Sequence, residues 1–137
     1  MKLSDDAKRL LDAANFAHLA TLQPDGGPKA EPVWVSREGD QVLITSHANS
    51  LKGQNLANDP RVALSIVDFQ NPYEQLLIRG RVVEVRGDDD LVFLDRLSHE
   101  YTGRAFGRRK WRERVVYVIE ADLARYYQSP LVHEPTV

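Results

Sequence analysis

At 137 residues, with a formal net charge of −2 and no cysteine, the chain is sized for one domain. It has no global attraction to nucleic acid or an anionic membrane, and no disulfide framework. His18, His47, His99 and His133 are scattered without paired acidic or thiol ligands, which argues against a structural metal site.

Met1-Lys2-Leu3 runs into an acidic amphipathic segment rather than an apolar signal core, and no apolar run approaches the roughly 20 residues of a membrane span. A soluble, cytoplasmic protein is expected. Ser4-Asp5-Asp6 opens a helix with acidic residues where they complement its dipole, and Ala7, Leu10, Leu11 and Ala14 follow at helical spacing. Phe16 to Leu22 reads as a strand, Gln23 to Gly27 as a tight turn, and Pro28 to Ser36 as the returning strand of a hairpin. Arg37-Glu38-Gly39-Asp40 turns into a third strand, Gln41 to Ser46.

The stretch from Gln41 to Arg61 is where a ligand is expected. Its strand ends in the hydroxyls of Thr45 and Ser46, and Ser50 caps a short helix carrying Lys52 as an exposed point charge in the first turn. Helix-start N–H groups beside hydroxyls and a lysine suit an anion such as a phosphate. Asn58-Asp59-Pro60 stops the helix, because the residue before proline is pushed out of helical geometry.

Arg61 to Val67 is a strand with apolar residues on both faces, and Tyr73 to Val85 returns as a long one, with Gly80 marking a bulge or a close backbone approach. Asp88-Asp89-Asp90 reads as the solvated start of a helix lined by Leu91, Leu94, Leu97 and Tyr101, with Gly103 just past its end. Arg104, Arg108, Arg109, Lys110, Arg112 and Arg114 crowd around Phe106 and Trp111. That pattern suits a loop reaching an anionic ligand or a partner subunit better than a nucleic-acid grip, given the acidic balance. Glu113 to Ala121 is the last strand.

Six strands, short turns and few helices predict a mostly β chain folded as a six-stranded antiparallel barrel, and strands apolar on both faces predict a homodimer. No Gly-flanked nucleophile and no Gly-rich phosphate loop is present, so hydrolase chemistry has no support. Trp34, beside Pro32, is either core filler or the wall of a cleft for a planar ring.

Taken in order, Phe16 to Leu22, Pro24-Asp25-Gly26, Pro32-Val33-Trp34, Lys52 to Leu56, Asp59-Pro60-Arg61-Val62, Asn71-Pro72-Tyr73 and Arg79-Gly80-Arg81-Val82 resemble the pyridoxamine 5′-phosphate oxidase-like superfamily. Their spacing is similar to its branch of F420-dependent flavin/deazaflavin oxidoreductases. The resemblance covers Leu3 to about Ala124. It implies a split β-barrel of the FMN-binding type, homodimeric, as a single domain over 1–137. It also implies an enzyme that transfers hydride from reduced coenzyme F420 to a small conjugated acceptor, with no nucleic-acid or membrane partner.

By the same resemblance Pro32, Val33, Trp34, Thr45 and Ser46 line the ring, Ser50, Lys52 and Asn55 take the phosphate, and Tyr73 and Arg79 come from the other subunit. No catalytic side chain is implied, because such a cofactor carries the redox step itself. Relatives often carry arginine where this chain has Ser50 and Gln54, and a hydroxyl only partly replaces a bidentate guanidinium. FMN therefore stays open as the alternative cofactor, as does a non-catalytic protein binding a flavin or haem-type ring.

Overall fold

A computed structural model describes residues 1–109 and 113–136; the expectations for Lys110, Trp111 and Arg112 fall outside them. Three short helices, α1 (Asp5–Asp12), α2 (Leu51–Asn58) and α3 (Val92–Thr102), accompany seven strands. These are β1 (Ala17–Leu22), β2 (Pro28–Val33), β3 (Ser36–Glu38), β4 (Gln41–His47), β5 (Arg61–Val67), β6 (Glu74–Gly87) and β7 (Arg114–Gln128). They form one sheet in the order β2-β1-β5-β6-β7-β4-β3, every neighbouring pair antiparallel.

The expected six strands are seven, because the run Pro28 to Ser36 breaks at Trp34-Val35. The cause is remote. The Tyr101 hydroxyl on α3 accepts from the Val35 N–H at 3.0 Å and lies 2.5 Å from the Asn15 carbonyl and 3.1 Å from that of Val35, so the Val35 N–H is satisfied away from a ladder. The break places β2 and β3 at opposite edges of the sheet with only two residues between them. Since a residue spans at most about 3.6 Å, the sheet must curl until its edges approach.

The core lies inside that curl. Leu19, Ile44, Leu64, Ile66, Leu76, Ile78 and Ile119 pack there with Leu10 and Leu11 of α1, each strand contributing alternate residues. Ser4 caps α1 as expected, its Oγ accepting from the Ala7 N–H at 3.1 Å. Arg9 on the same helix pairs with the buried carboxylate of Glu74, which also accepts from the Tyr126 hydroxyl at 2.7 Å.

Gly80 is required by a close approach, for a Cβ there would lie 2.1 Å from the Glu120 carbonyl oxygen, where the β6–β7 register shifts. The last strand runs on to Gln128 rather than ending at Ala121, because its second half pairs with the start of β6.

The acidic run behaves differently from a solvated helix start. Asp89 and Asp90 are exposed, but Asp88 is only 4% exposed and its two oxygens accept from the N–H groups of Phe93 and Leu94, both at 3.0 Å. The helix itself begins after Leu91, held at φ 61°. Asp88 is thus its anchor from outside. On the outer side of β6, Leu77, Val83 and Val85 remain exposed. Among the described residues no helix is long and apolar enough to cross a membrane.

Candidate functional site

The expected ligand turn is built by its own side chains. Ser50 caps α2, its Oγ accepting from the Gly53 N–H at 3.1 Å and sitting 2.8 Å from the Ser46 Oγ. The preceding turn is pinned to the residue just before β7, with Ala48 N–H donating to the Glu113 carbonyl at 3.0 Å. Gly53 lets the helix lie against it, since a Cβ would come within 2.3 Å of the Ala48 carbonyl oxygen. Asn55, 1% exposed, donates to the Thr21 Oγ1 at 3.1 Å and ties α2 to β1.

Beside this turn opens a cleft of about 270 Å³, lined by Phe16, Pro32, Val33, Trp34, Thr45, Lys52, Leu94, Phe106 and Arg114. Five of the expected ring and phosphate residues meet here: Pro32, Val33, Trp34, Thr45 and Lys52. Ser46, Ser50 and Asn55 hold the turn behind it instead. Within one chain Tyr73 and Arg79 lie elsewhere: Tyr73 packs its ring 6.3 Å from that of His133, and Arg79 lines a second groove of about 400 Å³ along β1, β5 and β6.

One wall is aromatic. Trp34 stacks on Tyr101 with ring centres 5.2 Å apart and meets Phe106 edge-on at 6.4 Å. Tyr101 is a half-buried buttress, its phenol pushed up to about 12 by burial. Phe106 is placed from α3: Asp95 accepts from the Phe106 N–H at 3.0 Å and from Arg109 at 2.6 Å, which folds the loop after α3 back onto the cleft. The Arg109 ion pair holds the Asp95 carboxyl below its ordinary range.

Two cations complete the lining. Arg114 opens β7 opposite His47, is 6% exposed, donates to the Thr45 Oγ1 at 3.3 Å and sits 5.6 Å from the Phe106 ring centre. Burial lowers the affinity of its guanidinium for the proton, and the Asp88 charge opposes that. Lys52 is not the exposed point charge expected: its side chain is 17% exposed and its Nζ lies 3.3 Å from Glu31 Oε1, while Lys29 Nζ lies 3.0 Å from Glu31 Oε2. Burial pushes the Glu31 carboxyl up, but the two lysines outweigh it and hold it below the usual range.

Phe16, Leu94, Phe106 and Arg114 were not among the expected site residues. Phe106 and Arg114 did leave a signal, as parts of the basic segment expected to reach an anionic ligand or a partner subunit, whereas Phe16 and Leu94 left none.

Comparison with known proteins decides the family: residues 3–128 match the family described as pyridoxamine 5′-phosphate oxidase. The chain belongs to this family. A pyridoxine/pyridoxamine 5′-phosphate oxidase from Nostoc sp. (strain PCC 7120 / SAG 25.82 / UTEX 2576) is 34% identical over 96 residues, covering 68% of this chain and 44% of that one. The chain thus spans less than half of that relative's length.

Among solved structures an F420 reductase superimposes with a TM-score of 0.82 at 28% identity, covering 90% of this chain and 98% of that one. The resemblance read from the motifs, to this superfamily and its F420-dependent branch, agrees with both findings. A conserved hypothetical protein, Rv2991 from Mycobacterium tuberculosis, shares the fold with a TM-score of 0.76 at 21% identity, over 98% of this chain and 92% of that one.

Proposed function

We propose that the chain is an F420-dependent oxidoreductase that passes hydride from the reduced deazaflavin to a small conjugated acceptor, and that the cleft beside α2 is its cofactor site. The observation that carries this is the pairing of an aromatic wall with two cations, Lys52 and Arg114, in one cleft. That donor set fits a planar ring bearing a phosphate: aromatic faces accept the ring, and a lysine at a helix start takes the anion. The likeness to an F420 reductase over 98% of that chain supports the choice of ring.

When bound, a deazaflavin supplies the hydride and the redox chemistry. The chain's own residues bind and orient. Trp34 and Phe106 form the apolar wall and keep water from one side of the ring, and Lys52 anchors the phosphate. Arg114 adds a buried positive charge at the cleft floor, where the low local dielectric strengthens its field. Ser46 and Ser50 keep the helix start in place, and Asn55 fixes α2 to the sheet from behind.

The whole chain serves as one cofactor-binding domain, and two copies close into the split-barrel homodimer. The apolar outer residues Leu77, Val83 and Val85 favour such a partner, with Tyr73 and Arg79 of each chain serving the other's site. An obligate interface of this kind buries more than about 2,000 Å² in total.

Separate fluorescence titrations with F420 and FMN, followed by oxidation of the reduced cofactor with quinone and enone acceptors, test the reading. Selective F420 binding with acceptor-dependent turnover is expected. FMN binding with F420 ignored would reassign the cofactor, and binding of either without turnover of any acceptor would remove the enzymatic part.

A further inference from the structure

Lys52 of the cleft lining is tied to charges that stand just beside it. Glu31 stands on edge strand β2 between two lysines, 3.0 Å from Lys29 Nζ and 3.3 Å from Lys52 Nζ. The neighbouring groups that could otherwise grip a phosphate are engaged: the Ser50 Oγ accepts from the Gly53 N–H and lies 2.8 Å from the Ser46 Oγ, and the Gln54 Nε2 donates to the Asn49 carbonyl at 3.0 Å. Arg114, deeper in the cleft, has Asp88 acting on it. Two ammonium groups and one carboxylate leave a local balance of one positive charge where the phosphate of a bound cofactor would sit.

Cofactors of this type differ in that charge. FMN ends in a phosphomonoester, which carries about −1.5 to −2 at neutral pH. F420 joins its ring portion to its tail through a phosphodiester, which carries a single negative charge. A carboxylate held beside the binding lysine repels both, and it repels the extra charge of the monoester more. An anion approaching Lys52 also competes with Glu31 for the same ammonium group.

We propose that Glu31 is a specificity-determining residue of the cofactor site, which lowers the advantage that a doubly charged phosphomonoester would otherwise hold over a singly charged phosphodiester. The inference rests on the reading that Lys52 takes the cofactor phosphate. It adds a reason, in this chain's own residues, for a choice between two rings of nearly the same shape.

The decisive experiment keeps the ring constant. Riboflavin, riboflavin 4′,5′-cyclic phosphate and FMN carry no phosphate, a phosphodiester and a phosphomonoester on one ring, and their 5-deaza counterparts repeat the series on the deazaflavin ring. Affinities are measured by fluorescence at low ionic strength for the parent protein and for Glu31→Gln, which keeps size and hydrogen-bonding capacity. Glu31→Gln should raise the monoester-to-diester affinity ratio by at least about fivefold over that of the parent. The unphosphorylated ring should move less than about twofold, which also reports that the fold is kept.

An unchanged ratio in a protein that binds these ligands would overturn the role of Glu31 alone. An equal shift of all three ligands would do the same, by making Glu31 a structural residue. A parent protein that binds neither ring series would overturn the cofactor reading and this inference with it.

Discussion

Two recesses among the described residues make a contrast, and the larger of the two lacks the features expected of a ring and phosphate site. The groove along β1, β5 and β6 measures about 400 Å³ against about 270 Å³ for the cleft beside α2. In the groove, however, Arg61 is engaged by Asp59 at 2.8 Å and Asp122 by Arg81 at 2.7 Å. These are surface ion pairs of small energetic consequence. The smaller cleft has a stacked aromatic wall, a buried guanidinium and a lysine at a capped helix start. Volume says where a ligand has room, while the chemistry of the lining says which ligand is held.

The sharpest way to break that contrast is at Lys52. A charge-assisted hydrogen bond to phosphate contributes about 1.5 to 3 kcal/mol, so Lys52→Ala should weaken F420 or FMN binding by about 10- to 100-fold. The matched change in the groove, Arg61→Ala, should leave affinity within about twofold. Equal effects of the two substitutions in titrations at moderate salt would erase the distinction between the recesses.

Arg79 joins the two recesses if each chain serves its neighbour. Arg79→Ala should then cost up to about tenfold in affinity, although this residue lines the groove and not the cleft. Mixing Lys52→Ala with Arg79→Ala chains and letting them exchange should restore sites of parental affinity, since one site of each mixed dimer keeps both residues. No recovery in the mixture, or a monodisperse monomer by sedimentation that binds at full strength, would return Arg79 to the surface.

Within the cleft, the aromatic wall should be worth less than the anion anchor. An aromatic pair contributes about 0.5 to 1.5 kcal/mol beyond its buried area, so Phe106→Ala should cost roughly 2- to 12-fold in ring affinity. Riboflavin should lose as much as FMN, which separates stacking from charge.

The smallest expected effect lies at Asp95. Asp95→Asn keeps an acceptor for the Phe106 N–H but removes the pairing with Arg109, and should speed hydrogen exchange of residues 104–109 while shifting affinity by about twofold, as befits an exposed ion pair. The pH dependence follows the same contact. Because the Asp95 carboxyl is held below its ordinary range, its contribution is complete above the usual carboxylate pKa of about 3.9 and is lost as pH falls through the folded value. Exchange in this loop should therefore stay slow through neutral and mildly acidic solution and quicken only under stronger acid.

Much of the fold was legible because it is locally encoded. Alternating apolar residues gave the strands, the Pro24-Asp25-Gly26 turn gave the first hairpin, and Ser4 and Ser50 marked helix starts where their hydroxyls do cap. Gly80 pointed to a close approach that the β6–β7 bulge confirms. The strand count failed where a distant group intervened, since Trp34-Val35 leave the ladder for a hydroxyl 66 residues away. Asp88 was misread for a related reason, as an acidic run shows the charge but not that burial makes the carboxylate an anchor for two N–H groups of α3.

The sequence by itself determined the antiparallel β character, the hydroxyl-rich turn before α2 and about half of the cleft lining, because periodicity, turn chemistry and capping act over a few residues. Only the tertiary structure decided that Arg114 and Phe106 join Trp34 in one cleft, that Asn55 donates to Thr21, and that Lys52 shares a carboxylate with Lys29. Those facts depend on which strands become neighbours and on how a sheet with two linked edges curls. Charge pairing and burial are set by distance through space, and spacing along the chain does not record it.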